Sequence, residues 1–129
     1  MTWREAFRAF LQLLTPEQLE LVHFGLATDD RRLLQRTNTE PVPLHALRHR
    51  PCDGACLMGY ALLGEKQSAF AVENWLLNVS LLLTPPVFAM IASRWDYCPK
   101  EGWPVHRPRE EAIAEFLPEV RRFIEERAA

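Results

Sequence analysis

His45, His49, Cys52 and Cys56 hold two of the four histidines and two of the three cysteines of this chain between positions 45 and 56. Imidazole nitrogen and thiolate sulfur are the donors that zinc accepts, and Cys98 could supply a fifth. The order His-x3-His-x2-Cys-x3-Cys is not that of a zinc knuckle, because Cys-x3-Cys suits a helical turn rather than a Cys-x2-Cys hairpin. A zinc site on His45, His49, Cys52, Cys56 and Cys98 is therefore one expectation, set against packed thiols and surface histidines. Cys52 offers a second chemistry. At a helix N-terminus behind Arg48, His49 and Arg50, its thiol pKa would fall and its thiolate would be a nucleophile. No glycine-rich oxyanion turn accompanies it, so no catalytic residue is assigned.

Charge gives a third lead. Residues 31 to 51 carry Arg31, Arg32, Arg36, Arg48 and Arg50 against one acid, Glu40, in a chain of net charge -2. A basic band on an acidic body meets acidic partners, and arginines beside an aromatic are common anchors of interfaces. Arg31, Arg32, Arg36, Arg48 and Arg50, with Trp103, are thus the expected partner-binding residues. A protein partner is expected first, and nucleic acid is the alternative. No glycine-rich phosphate loop argues for nucleotide hydrolysis.

The elements that must position these residues are helical. Trp3, Phe7, Phe10, Leu11 and Leu14 recur at helical spacing. Thr15, Pro16 and Gln18 form a capping box with proline in the first turn, predicting a second helix to about Ala27. Asp29 or Asp30 is placed to cap a short third helix through Arg36. Prolines at 41, 43 and 51 forbid a long element there, so His45 and His49 fall on a loop. Cys56 to Gly64 reads as a short helix ended by Gly64, with Gly59 marking a close helix contact.

Ala69 to Leu83 is predicted as the central helix. Val72, Trp75, Leu76, Val79, Leu82 and Leu83 share one face, while Leu77 and Leu81 make the other face apolar too, so burial nearly all round is expected. Leu-Leu-Thr-Pro occurs at Leu13 to Pro16 and again at Leu82 to Pro85, which predicts the same cap chemistry twice. A loop from Cys98 to Pro108 carries Trp103 and His106. A final helix follows, with Glu110 and Glu111 at its positive end, its glutamates on a solvent face, and Pro118 set to kink or split it.

Nothing from Asn74 through Ser93 is charged, yet Asn78, Ser80 and the Thr84-Pro85-Pro86 break favour two buried helices over a membrane span. Charges at the start of the chain and an odd number of cysteines point to the cytoplasm. With 48% hydrophobic and 25% charged residues, positions 1–129 are expected to form one all-α domain, a compact bundle of six or seven short helices.

Cys56-Leu57-Met58-Gly59-Tyr60-Ala61-Leu62, then Trp95-Asp96, then the acidic tail helix resemble short uncharacterised actinobacterial and phage proteins. Those have a Cys-x-x-Gly-Ala-Leu helix, a Trp-Asn-Asp and a terminal amphipathic helix. The likeness covers roughly residues 52 to 127. The chain departs from the pattern in Tyr60 after the glycine and in Asp96 directly after Trp95. The resemblance implies a helical fold and an accessory role. Together these readings predict a small interaction or regulatory protein that is not an enzyme, with the metal- or thiol-dependent activity as the alternative.

Overall fold

The computed structural model describes residues 1–128. Its order is α1 (Trp3–Leu11), α2 (Pro16–Thr28), short 3-10 helices Leu44–Ala46 and Gly59–Glu65, α3 (Ala69–Leu83), α4 (Pro85–Asp96) and α5 (Arg109–Ala128). Among the described residues the only extended pairing is isolated bridges, so the fold is all-α.

Local signals explain where most helices begin. The side chain of Thr2 accepts from Glu5 N–H while Glu5 reaches back to Thr2 N–H, and Thr15 and Gln18 repeat the exchange for α2. Ser68 caps α3 through Ala71 N–H. Helix α1 then packs on α3, α4 and α5, while α2 packs on α5 and the 3-10 helix Gly59–Glu65. Phe116 of α5 stands at the centre, its ring 4.8 Å from both Trp3 and Phe7 and 5.6 Å from Trp95. Edge contacts of this kind add to the burial of four large rings. Trp95 keeps its indole N–H satisfied by donating to Leu34 O at 2.8 Å.

Five expectations need correction. The predicted helix from Arg31 to Arg36 does not form, because its backbone is claimed by a non-helical partner. Ala55 N–H donates to Arg32 O and Leu34 N–H to Ala55 O, while Asp29 ends α2 in a left-handed conformation. Residues 32 to 40 wrap the strand-like segment 54 to 56 instead. The helix predicted over Cys56 to Gly64 is a 3-10 segment that starts at Gly59, and Lys66 at φ 55° ends it, not Gly64. Gly59 does mark a close contact, since a Cβ there would lie 3.1 Å from Val72 of α3. Helix α5 runs unbroken through Pro118, whose ring and Ala114 are both exposed, leaving the freed Ala114 carbonyl to solvent.

Thr84 breaks the symmetry of the two Leu-Leu-Thr-Pro phrases. Helix α1 stops at Leu11, so three residues of turn bring Thr15 into extended backbone where its hydroxyl can cap. Helix α3 runs to Leu83, so Thr84 alone must end one helix and start the next through a 118° bend. It does so at φ 78° with no side-chain cap. No single helix is long and apolar enough to cross a membrane among the described residues; the bent pair α3 and α4 passes by length and composition only.

The last correction concerns α3. It is not buried all round: Val72, Leu76 and Val79 face the core, but Leu77 is 58% and Leu81 65% exposed. Phe70 and Leu82 are exposed as well.

Candidate functional site

The thiols and imidazoles of the expected zinc cluster have other partners. Cys52 donates its thiol hydrogen to Gly54 O at 3.0 Å, Cys98 donates to His106 O at 3.3 Å, and Cys56 sulfur accepts from Gly59 N–H at 3.4 Å. His45 and His49 are exposed beside Leu44, Arg48 and Phe70. No group of three or more His, Cys, Asp or Glu side chains is placed to share a metal ion among the described residues. Nor does Cys52 stand at a helix N-terminus, because the nearest following helix begins at Gly59. Burial pushes its thiol up, and pushes that of Cys56 up to about 11, the opposite of activation.

The expected basic band is dispersed. Arg32 pairs with Asp30 at 3.1 Å and lies over the Tyr60 ring. Burial would raise the Asp30 carboxyl, but hydrogen bonds from Tyr60 and Arg32 outweigh it and hold it at about 2. Arg50 sits 3.8 Å from both Glu40 and Asp53, and Arg48 stacks on Phe70 at 4.4 Å. Arg31 and Arg36 are exposed.

Trp103 lies elsewhere, 77% exposed on the loop between α4 and α5, which is pinned at its base by the Tyr97 and His106 bridge. It lines a groove of about 450 Å3 with Trp3, Met90 and Tyr97. Arg94 and Cys98 form the wall shared with a second cleft of about 780 Å3, and that cleft holds the densest charge in the molecule.

Four elements build the second cleft. Helix α5 supplies Glu111, Glu115 and Glu119 at intervals of four, hence on one face. Against them come Arg4 of α1, Arg94 of α4, Arg107 of the loop and Arg122 one turn on. Arg94 grips Glu115 with both arms, at 2.5 and 2.7 Å, and Arg107 adds a bond at 3.0 Å. Those guanidiniums, Arg94 foremost, overcome partial burial and hold the Glu115 carboxyl at about 2. Glu119 is shared in the same way by Arg4 at 3.0 Å and Arg122 at 3.3 Å.

Glu119 is buried at 8% exposure, which corrects the expectation that the glutamates of α5 lie on a solvent face. Arg121, on another face, donates its Nε–H to His23 Nε2 at 3.4 Å. Arg107 is only 3% exposed, and its Nε–H has no hydrogen-bond acceptor, with Glu111 standing off at 3.6 Å. Glu115 and Glu119 thus take the hydrogen bonds of four guanidiniums, while Glu111 pairs with Arg107 at longer range and Glu101 also lines the cleft. Spare N–H donors remain on Arg4 and Arg122, whose side chains are more than half exposed.

Arg94 and Arg107 were not singled out by sequence reasoning, though a signal existed. Arg94 is the first charge after the uncharged run ending at Ser93, and Arg107, Glu111, Glu115 and Glu119 recur every four residues across the start of α5. Such a ladder of mixed sign on one face is a site for cations from neighbouring helices. No protein family, curated protein or solved structure matches this chain.

Proposed function

We propose that the protein is a small interaction protein that binds an acidic segment of a macromolecular partner across this double cleft. Trp103, Met90 and Tyr97 receive an apolar side chain of that segment, and Arg4, Arg122 and Lys100, which lines the same cleft, receive its carboxylates. The observation that carries the reading is a bare tryptophan beside guanidiniums with donors to spare: Arg4 and Arg122, each more than half exposed, share Glu119 between them, and the Arg107 Nε–H has no hydrogen-bond acceptor, although Glu101 and Glu111 also line the cleft. Arginine with tryptophan is the combination that dominates interface energetics, and unshared guanidinium donors favour carboxylate. This keeps the basic and aromatic surface expected from sequence but moves its cationic half from Arg31, Arg32, Arg36, Arg48 and Arg50 to the α1, α4 and α5 junction. An accessory role is what the resemblance of residues 52 to 127 to small phage and actinobacterial proteins implies.

Titration with a panel of glutamate-rich peptides, each carrying one leucine or phenylalanine, tests the reading. Binding that weakens with salt, falls in Trp103→Ala and disappears in the double variant Arg4→Glu, Arg122→Glu is expected. Loss instead in Arg31→Glu, Arg32→Glu, Arg48→Glu, Arg50→Glu would return the interface to the basic loop. Retention of single-stranded DNA but of no peptide would replace a protein partner by nucleic acid.

A further inference from the structure

We infer that the solvent face of α3 is the contact between two copies of this chain. Phe70, Asn74, Leu77 and Leu81 follow one another at alternating intervals of four and three, so they lie in one stripe along the helix. Phe70, Leu77 and Leu81 are exposed although each is a core-type residue. The stripe is continued beyond the helix N-terminus by Leu44, which is 87% exposed and lines a groove with Phe70 and Arg48.

Area identifies the occupant. These four side chains present on the order of 500 Å2 of apolar accessible surface, toward the upper end of what a monomer tolerates in one patch. A standard interface takes about 800 Å2 from each partner, about two thirds of it apolar when the partners are identical. One α3 face therefore has the apolar content that one side of a homodimer needs.

Charge fixes the arrangement. The stripe itself carries no charge, so it meets its own copy without like-charge repulsion. Arg48, His45 and His49 gather at the Phe70 end, while Leu81, Leu82, Thr84 and Pro85 leave the far end uncharged. Glu73, at the edge of the stripe, is engaged by Asn38 and Thr39. A two-fold axis across the middle of the stripe sets each Phe70 against Leu81 of the other copy. It also separates the two basic ends by roughly 16 Å, beyond the screening length at physiological salt. Parallel pairing would stack the two Arg48 side chains together, so the copies run antiparallel.

Sedimentation equilibrium from low micromolar to several hundred micromolar protein tests this. The expected result is a reversible rise from the 15.0 kDa chain mass to twice that value. Leu77→Glu and, separately, Leu81→Glu should shift the half-dimer concentration upward by at least about a hundredfold, with unchanged far-ultraviolet circular dichroism because both positions are exposed. A wild-type chain that stays at the monomer mass throughout overturns the proposal, as does a dimer that survives both substitutions. A monomer that sediments with phosphatidylglycerol vesicles, and fails to do so as Leu77→Glu, would overturn it in favour of a lipid surface. The acidic-peptide titration uses other residues, so either result stands without the other.

Discussion

Glu115→Gln is the perturbation that reads the charge balance of the cleft most directly. The carboxylate takes two bonds from Arg94 and one from Arg107, and its pKa stands at about 2 against an ordinary 4.5. A shift of that size corresponds to at most about 3 kcal/mol of stability. Part of the fork faces solvent in the cleft, and screening brings the expectation to about 2 kcal/mol. Because the folded pKa is depressed, this contribution is complete above the unfolded pKa of 4.5 and is lost as pH falls from there toward 2. Glutamine keeps one acceptor but removes the charge, leaving the buried Arg107 its bond to Arg94 O at 2.6 Å and, as counter-charge, only Glu111 at 3.6 Å. Thermal melts at neutral pH should show the variant lower by about 5–10 °C for a domain of this size. The gap between wild type and variant should then close as the pH is taken below the ordinary carboxylate range. A gap of equal size at neutral and acidic pH would refute the reasoning, because it would place the loss in packing rather than in charge.

Three further outcomes follow from the packing. Gly25→Ala should destabilise the fold by about 2 kcal/mol in urea titration, because its Cβ would lie 2.5 Å from a Tyr60 ring that is buried and anchored through its hydroxyl to Asp30 at 2.6 Å. Thr84→Gly should stabilise by about 1 kcal/mol, since a β-branched residue at φ 78° is strained and glycine is not; a loss of stability would mean the Thr84 side chain holds the bend. Alkylation of Cys56 at mildly alkaline pH should run at least about a hundredfold slower in the folded protein than in urea, because desolvation of this partly buried thiol raises it to about 11; equal rates would show that the fold does not hold the thiol protonated.

How far the fold could be read from the chain depended on whether a residue answered to its neighbours or to distant ones. Thr15 with Gln18, the boundaries of α3 and α4, and the close approach at Gly59 are settled by chemistry within a few positions, and the sequence reading placed them well. Arg31 to Arg36 lacked that property. Its helical charge spacing was overridden by backbone pairing with residues 54 to 56, which no local pattern announces. The second Leu-Leu-Thr-Pro failed as a cap for an equally physical reason: identical residues met a helix already in progress. Apolar residues around the whole circumference of α3 were read as a sign of burial, yet the chain has too few helices to cover both of its faces. That surplus of leucine is the sequence-level trace of an interface.

The cleft was illegible because each of its members, taken alone, is an ordinary surface charge. Glu119 joins Arg4 across 115 positions, and Arg94 joins Glu115 across 21. Only the docking of α1 and α4 on α5 turns an i,i+4 ladder into a shared wall. Stability does not explain why that wall is polar. Withdrawing Arg107 and Glu119 from water carries a desolvation cost that their pairing does little more than offset, and apolar residues of similar volume would hold the helices together at least as well. On the proposed reading, charge kept at such a junction serves recognition, with the unshared donors of Arg4 and Arg122 and the orphaned Arg107 Nε–H turned to a carboxylate.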